Sequence, residues 1–313
     1  MQRLLTIINH RDFVLILALV CGFALGERSR PLAEISMYSL ALVMVFATTD
    51  FSFKSWIPLS RALRSLLYAT LLNFLIFGLA VIVLAWLFFR SEPYFPFYIG
   101  LVLVAAAPPG PSVIPFSAML KGDNHFAVTG VFGLHLLAVL LTPLMLLVLL
   151  GQALIDPYII LRMMLQLIVV PLVISRILRH PRILPKVESI RNTVVKWGFF
   201  LVITPIVGMS VPVFLNNPLS VAKISGLLFL VMFILGLLYH VMMMRLKMER
   251  GFIISSTLML VIKSSAFAAV AAFTFFRGDA GVALPPAVVS VFVTLFIIFY
   301  SQVVKWSKKY FVS

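Results

Sequence analysis

A lysine stands inside an apolar stretch, residues 251–276, that is long enough to cross a bilayer. An ammonium at membrane depth is costly, and chains that keep one use it on ion or substrate paths. Lys263 is followed by Ser264 and Ser265 and preceded by Thr257, so a charge and three hydroxyls fall within one short segment. A second cluster lies earlier, where Pro108, Pro109, Gly110, Pro111 and Ser112 are followed by Pro115. Each proline removes a backbone donor and clashes with the preceding turn, so the helix must open there. Freed carbonyls and half-helix ends are tolerated at this depth only when they face protein or a water-filled cavity. Together the two clusters form a candidate anion-binding centre made of Lys263, Ser264, Ser265, Thr257, Gly110, Pro111 and Ser112. The competing reading moves Lys263 to an interface, where it snorkels. Lys263 lies twelve residues after Gly251, roughly 18 Å along a helix, which is near the middle of a hydrocarbon core about 30 Å thick.

Other polar groups within apolar stretches carry weaker signals. His135 belongs to the candidate substrate site, against the plainer expectation of a helix–helix hydrogen bond. Asn73, Gln166, His240 and Gln302 are expected to join helices. Asp50 is expected as an interfacial charge, its alternative being a gate partner for Lys54. No carboxylate pair, HExxH, phosphate-binding loop or cysteine cluster occurs, so neither catalytic nor metal-binding residues are assigned and no cofactor is expected. The single Cys21 excludes a disulfide framework.

The elements that must position these groups are membrane helices. The chain is 62% hydrophobic and 11% charged over 313 residues, whereas soluble domains carry about 25% charged residues. Apolar runs recur near 13–26, 33–50, 66–89, 96–120, 125–151, 157–178, 194–214, 221–244, 251–276 and 282–304. They predict an all-α membrane protein with ten spans. Continuous rather than alternating hydrophobicity argues against a β-barrel. The first run lacks a small-residue cleavage site and reads as a retained helix. With ten spans, 18 Lys and Arg fall on one side and five on the other, Arg162 and Lys263 within spans completing the 25. The richer side is cytoplasmic, which places both termini there. The net charge of +15 is thus topology and attraction to anionic lipid rather than a nucleic-acid footprint.

The chain divides near Ala153–Pro157 into two blocks of five spans, 1–155 and 156–313. An odd number of spans per block inverts the second relative to the first. In both, the fourth span holds the unusual polar or helix-breaking residues. That pattern predicts an inverted repeat whose discontinuous fourth and ninth helices cross at the midplane.

Three stretches carry a family resemblance: Leu40–Phe53 with its Asp50-Phe51 pair, Pro109–Asn124 with its Lys121-Gly122 turn, and Leu165–Arg176 with its central proline. The chain resembles the bile acid:sodium symporter family, within the bile/arsenite/riboflavin transporter group. The resemblance implies a core of helices 3–5 and 8–10 and a panel of helices 1, 2, 6 and 7. It also implies inward movement of an organic anion with two sodium ions by alternating access. The chain departs from the pattern at the sodium ligands. Where the family has small polar residues and an asparagine stand Pro111, Ser112, Val113 and Ile114. Where it has a glutamate and then a glutamine-asparagine-serine-glycine run stand Leu258, Ile262, Lys263, Ser264 and Ser265. Hard cations need several oxygens and favour a carboxylate, so the sodium sites are degenerate, and Lys263 replaces the ion's charge.

The expectation is a secondary transporter of a small organic anion in the cell inner membrane, with membrane lipid as surroundings and no nucleic-acid partner. Lys263 is either a fixed tether or a proton-coupling group, leaving H+ or Na+ as the coupling ion. The alternatives are sodium symport through backbone carbonyls, and a non-transporting sensor or membrane enzyme on the same fold.

Overall fold

The computed structural model describes residues 11–50, 58–277 and 279–307, and the described residues are helical with no strand. Phe51 and Lys54, named above, lie outside the described residues. In chain order the helices are α1 (Arg11–Leu25), α2 (Arg30–Ala47), α3 (Leu59–Phe89), α4 (Phe95–Ala106), α5 (Val113–Met119) and α6 (Asn124–Leu150). They continue with α7 (Pro157–Leu178), α8 (Leu184–Asn216), α9 (Pro218–Arg245), α10 (Arg250–Val261), α11 (Ser265–Phe276) and α12 (Ala280–Ser307).

Among the described residues seven helical stretches are long and apolar enough to cross a membrane, so the protein is an integral, multi-pass membrane protein. Seven differs from the ten expected, and the difference has local causes. Residues 16–47 form one helical run bent at the 3-10 turn Gly26–Ser29. The expected spans near 96–120 and 251–276 are each broken, leaving α4, α10 and α11 with 12 residues apiece. Helix α8 begins ten residues before the expected apolar run, because the basic joint itself enters the helix.

The bend at Gly26–Ser29 reverses the chain against α8. Thr204 donates to the Ala18 carbonyl on the way in, and Gly198 lies under Val43 and Ser39 on the way out. Helix α8 therefore packs on both α1 and α2, and α7 packs on α2. The remaining helices enclose the largest buried cluster, to which α4, α10 and α11 contribute most of their side chains and α12 one face.

Polar caps start several helices. Asp123 accepts from Phe126 N at 3.0 Å before α6, Asp156 from Tyr158 N at 2.8 Å before α7, and Asp279 from Val282 N at 3.0 Å before α12. Lengths recur between the two halves of the chain. Helices α3 and α9 each run 12 residues before a π-helical segment, Leu71–Phe77 and Leu230–Ile234 respectively. Helices α6 and α12 measure 27 and 28 residues.

Candidate functional site

The site begins with four carbonyls that the proline cluster releases. In a continuous helix the Ala105 carbonyl would accept from residue 109 and the Ala107 carbonyl from residue 111, both prolines without an N–H. Buried acceptors must find other donors. Lys263 Nζ donates to Ala105 O at 2.8 Å and to Ala107 O at 2.7 Å. Thr142 Oγ1 donates to Ala106 O at 2.7 Å. The fourth, Pro108 O, receives Ser264 N at 3.0 Å.

The second broken helix shows the complementary pattern. Helix α10 stops at Val261, so Met259 O loses the amide of residue 263 as a partner. Asn73 Nδ2 donates to it at 3.2 Å, and Asn73 Oδ1 accepts from Lys263 Nζ at 2.8 Å. Asn73 reaches this point from the π-helical segment of α3. The two breaks themselves pair as an antiparallel bridge, Pro109 with Lys263. Gly110 N donates to Ile262 O at 3.1 Å alongside it. Ser264 then caps α11, accepting from Phe267 N at 3.3 Å.

Lys263 therefore does not snorkel. Its side chain is 2% exposed, and its three protons meet three oxygens, with the Phe74 and Phe77 rings 4.8 and 5.4 Å from Nζ. Hydrogen bonds to a charged donor contribute about 1.5–3 kcal/mol each, which offsets the several kcal/mol that burying an ion costs. The ammonium also lies at the C-terminal ends of α4 and α10, where helix dipoles favour positive charge.

On the other side of the crossing lies a chamber of about 60 Å³. Gly110, Pro111, Ser112, Ser264, Ser265 and Ser290 are among the residues on its wall. Lys263 contributes to the wall, but Asn73, Ala105 and Ala107, which hold its ammonium, line neither cavity. A larger cavity of about 520 Å³ adjoins the chamber, with Pro111, Ser112 and Phe199 lining both. Its wall is mostly apolar, with Thr48, Ser112, His135, Arg191, Asn192 and Lys196 as polar members. Volume and lining are those of a small-molecule site.

Of the residues expected at the site, Gly110, Ser264 and Ser265 meet at the chamber, and Pro111 and Ser112 stand at its neck. His135 lines the larger cavity, with Nδ1 2.7 Å from Val131 O. Thr257 stands apart: it is fully buried, donates to Ile253 O at 2.7 Å and reaches neither cavity. Asn73 has the joining role expected of it, and one of the groups it joins is Lys263 itself. Phe199, Arg191 and Lys196 have no role in the sequence reading. The basic residues read simply as part of the cytoplasmic joint. His240 has the joining role expected of it, with Nδ1 2.9 Å from Tyr300 OH. Asp50 closes the 3-10 turn Thr48–Asp50. The Lys121-Gly122 turn places Lys121 at φ 60°. A Cβ on Gly122 would come within 2.5 Å of Ser255 Oγ, so the α5–α6 turn can approach α10 only without a side chain there. Ser117 and Ser255 hydroxyls, 2.7 Å apart, close that contact.

Residues 37–217, more than half of the chain, match the model of the Sodium Bile acid symporter family. The chain belongs to this family. A comparison with curated proteins gave no match. Membership makes the protein a membrane transporter of the bile acid symporter type. The matched segment of this transporter includes the proline break and α8 but ends before Lys263. Among the described residues no cluster of His, Cys, Asp or Glu is arranged to hold a metal ion.

Proposed function

We propose that the protein is a secondary transporter that moves a small organic anion by alternating access, without conventional sodium coupling. The observation that carries this reading is the cavity of about 520 Å³ that leads to a chamber beside two crossed, broken helices. The cavity suits an amphipathic anion, with apolar walls for its body and Arg191 and Lys196 for its charge. The chamber suits the anion's head, because the N-terminus of α11 and the hydroxyls of Ser112, Ser264, Ser265 and Ser290 meet there. His135 contributes to the wall of the path.

The proposed topology has ten crossings in two inverted repeats, 1–155 and 156–313. In it α1 and α2 cross separately, and α4–α5 and α10–α11 cross as broken pairs. Three correspondences support it: 12-residue lead-ins to π segments in α3 and α9, 12-residue first halves in α4 and α10, and aspartate-capped long helices α6 and α12. A panel of α1, α2, α7 and α8 then rocks against a core of the remaining helices, and the large cavity lies where α2 and α8 face α5 and α6. The excess of basic residues on one side supports termini that face the cytoplasm, in a cell inner membrane. By the same rule Arg191 and Lys196 support a cavity that opens on the cytoplasmic side.

Lys263 replaces the coupling cation in this reading. The carbonyls of Ala105 and Ala107, which a sodium ion at the crossing would need, already accept from its ammonium. With three oxygens within hydrogen-bond distance of Nζ, Lys263 serves in this reading as a fixed tether.

Uptake of organic acids into proteoliposomes, with and without sodium or proton gradients, tests the reading. Flux that persists without either gradient is expected. Steep sodium dependence that survives Lys263→Ala would sink the tether, and ligand binding without flux would make the protein a sensor.

A further inference from the structure

A cation built into the chain has a consequence for the sign of the charge moved. A carrier that takes up two sodium ions with one monovalent anion brings net positive charge inward, and the inside-negative potential helps it. Here the ammonium at the crossing is covalently attached. Whatever distance it travels with the loaded core, it returns with the empty one, so over a full cycle it contributes no net charge. Lys263 Nζ occupies the space among Asn73 Oδ1, Ala105 O and Ala107 O. Among the described residues the crossing offers no carboxylate, and no acidic side chain lines either cavity. We infer that each turnover moves only the anion's own charge, so that the membrane potential drives this transporter outward, toward export of its organic anion. The inference rests on the transport reading above and adds to it the driving force and the direction.

Moving one elementary charge through 100 mV corresponds to about 2.3 kcal/mol, and about 1.4 kcal/mol is a factor of ten. A monovalent anion would therefore distribute about 50-fold in favour of the outside at 100 mV, inside negative. Two sodium ions per anion reverse the sign of this bias, because net positive charge then moves with the anion. The basic residues of the cytoplasmic-side cavity, Arg191 and Lys196, fit the same direction of travel, since they would concentrate anions at the mouth from which export begins.

The test uses the full-length protein in liposomes, with taurocholate and pyruvate as probes of the amphipathic and the small classes of anion. On a solid-supported membrane in sodium-free choline buffer, adding a probe outside should displace negative charge inward, and replacing choline by sodium should leave the signal unchanged. Vesicles loaded with the probe and held at 100 mV, inside negative, should release it until the ratio reaches about 50-fold. Positive charge moving inward only with sodium overturns the inference and leaves transport standing. Flux without current overturns it too, because a compensating cation then accompanies each anion. Neither flux nor current with either probe removes the transport reading and this inference with it. A further measurement needs no substrate. The thermal stability of the purified protein should be the same in sodium and in choline, and a rise of more than about 2 °C in a sodium titration would show a working sodium site and overturn the inference.

Discussion

Replacing Lys263 by methionine keeps most of the side chain's volume and removes the ammonium. Three buried acceptors, Asn73 Oδ1 and the carbonyls of Ala105 and Ala107, then lose their donor. An unsatisfied buried acceptor costs about 1–3 kcal/mol, so the gross loss is about 3–9 kcal/mol. Relief from burying an ion returns several kcal/mol. A net destabilisation of up to about 5 kcal/mol is expected, equivalent to a fall in Tm of up to roughly 10–20 °C at about 2–4 °C per kcal/mol. The four tryptophans provide the signal for scanning fluorimetry in detergent. Lys263→Ala should show the oxygens as a cation cage, because truncation leaves a gap lined by the three acceptors. Ammonium, which matches the lost group in charge and donors, should restore stability in proportion to its concentration. At one hundred times its Kd the gain would be about 2.7 kcal/mol, while the wild type should not respond. A methionine variant clearly more stable than the wild type would refute the reasoning, and so would an alanine variant indifferent to ammonium, potassium and sodium.

Asn73→Leu should lower stability by about 2–4 kcal/mol in the same assay, because both the Lys263 ammonium and Met259 O lose a partner. Asn73→Asp should lose less, because a carboxylate still accepts from the ammonium. Gly110→Ala places a Cβ 3.1 Å from Ile262 Cγ2 and 3.3 Å from Lys263 O; the crossing should be forced apart at a cost of about 1–3 kcal/mol, with flux falling at least tenfold in proteoliposomes. Arg191→Gln with Lys196→Gln should raise the KM for an anion about 5–30-fold at low ionic strength, with little effect on kcat and a smaller effect in high salt. Thr257→Val should change flux by less than about twofold, because that hydroxyl is satisfied within its own helix.

Particular residues show how far the sequence could be read. Apolar runs gave the membrane class and most helix positions, since hydrophobicity and length are local properties that the bilayer tests one segment at a time. The proline cluster announced the first break for the same reason, each missing N–H being visible in the sequence. The second break was harder. Helix α10 ends at Val261 without a proline, and it ends there because the backbone of residues 262–264 pairs with the first break instead of with its own helix. Thr257 looked like part of the site because it is polar and near Lys263, but a helix face decides where a hydroxyl points.

What the sequence determined by itself is that an ammonium is held at membrane depth near a helix that cannot stay closed. It also set Pro111, Ser112, Leu258, Ile262 and Lys263 at the positions where the family resemblance implies sodium ligands. Only the tertiary structure decided which way that ammonium faces. Ala105 and Ala107 are more than 150 residues away in the chain, as is Asn73, and no local pattern ties them to Lys263. Their carbonyl and amide oxygens need a donor that their own helices cannot supply. The lysine needs three acceptors that the bilayer cannot supply, and the fold satisfies both by bringing the two breaks together.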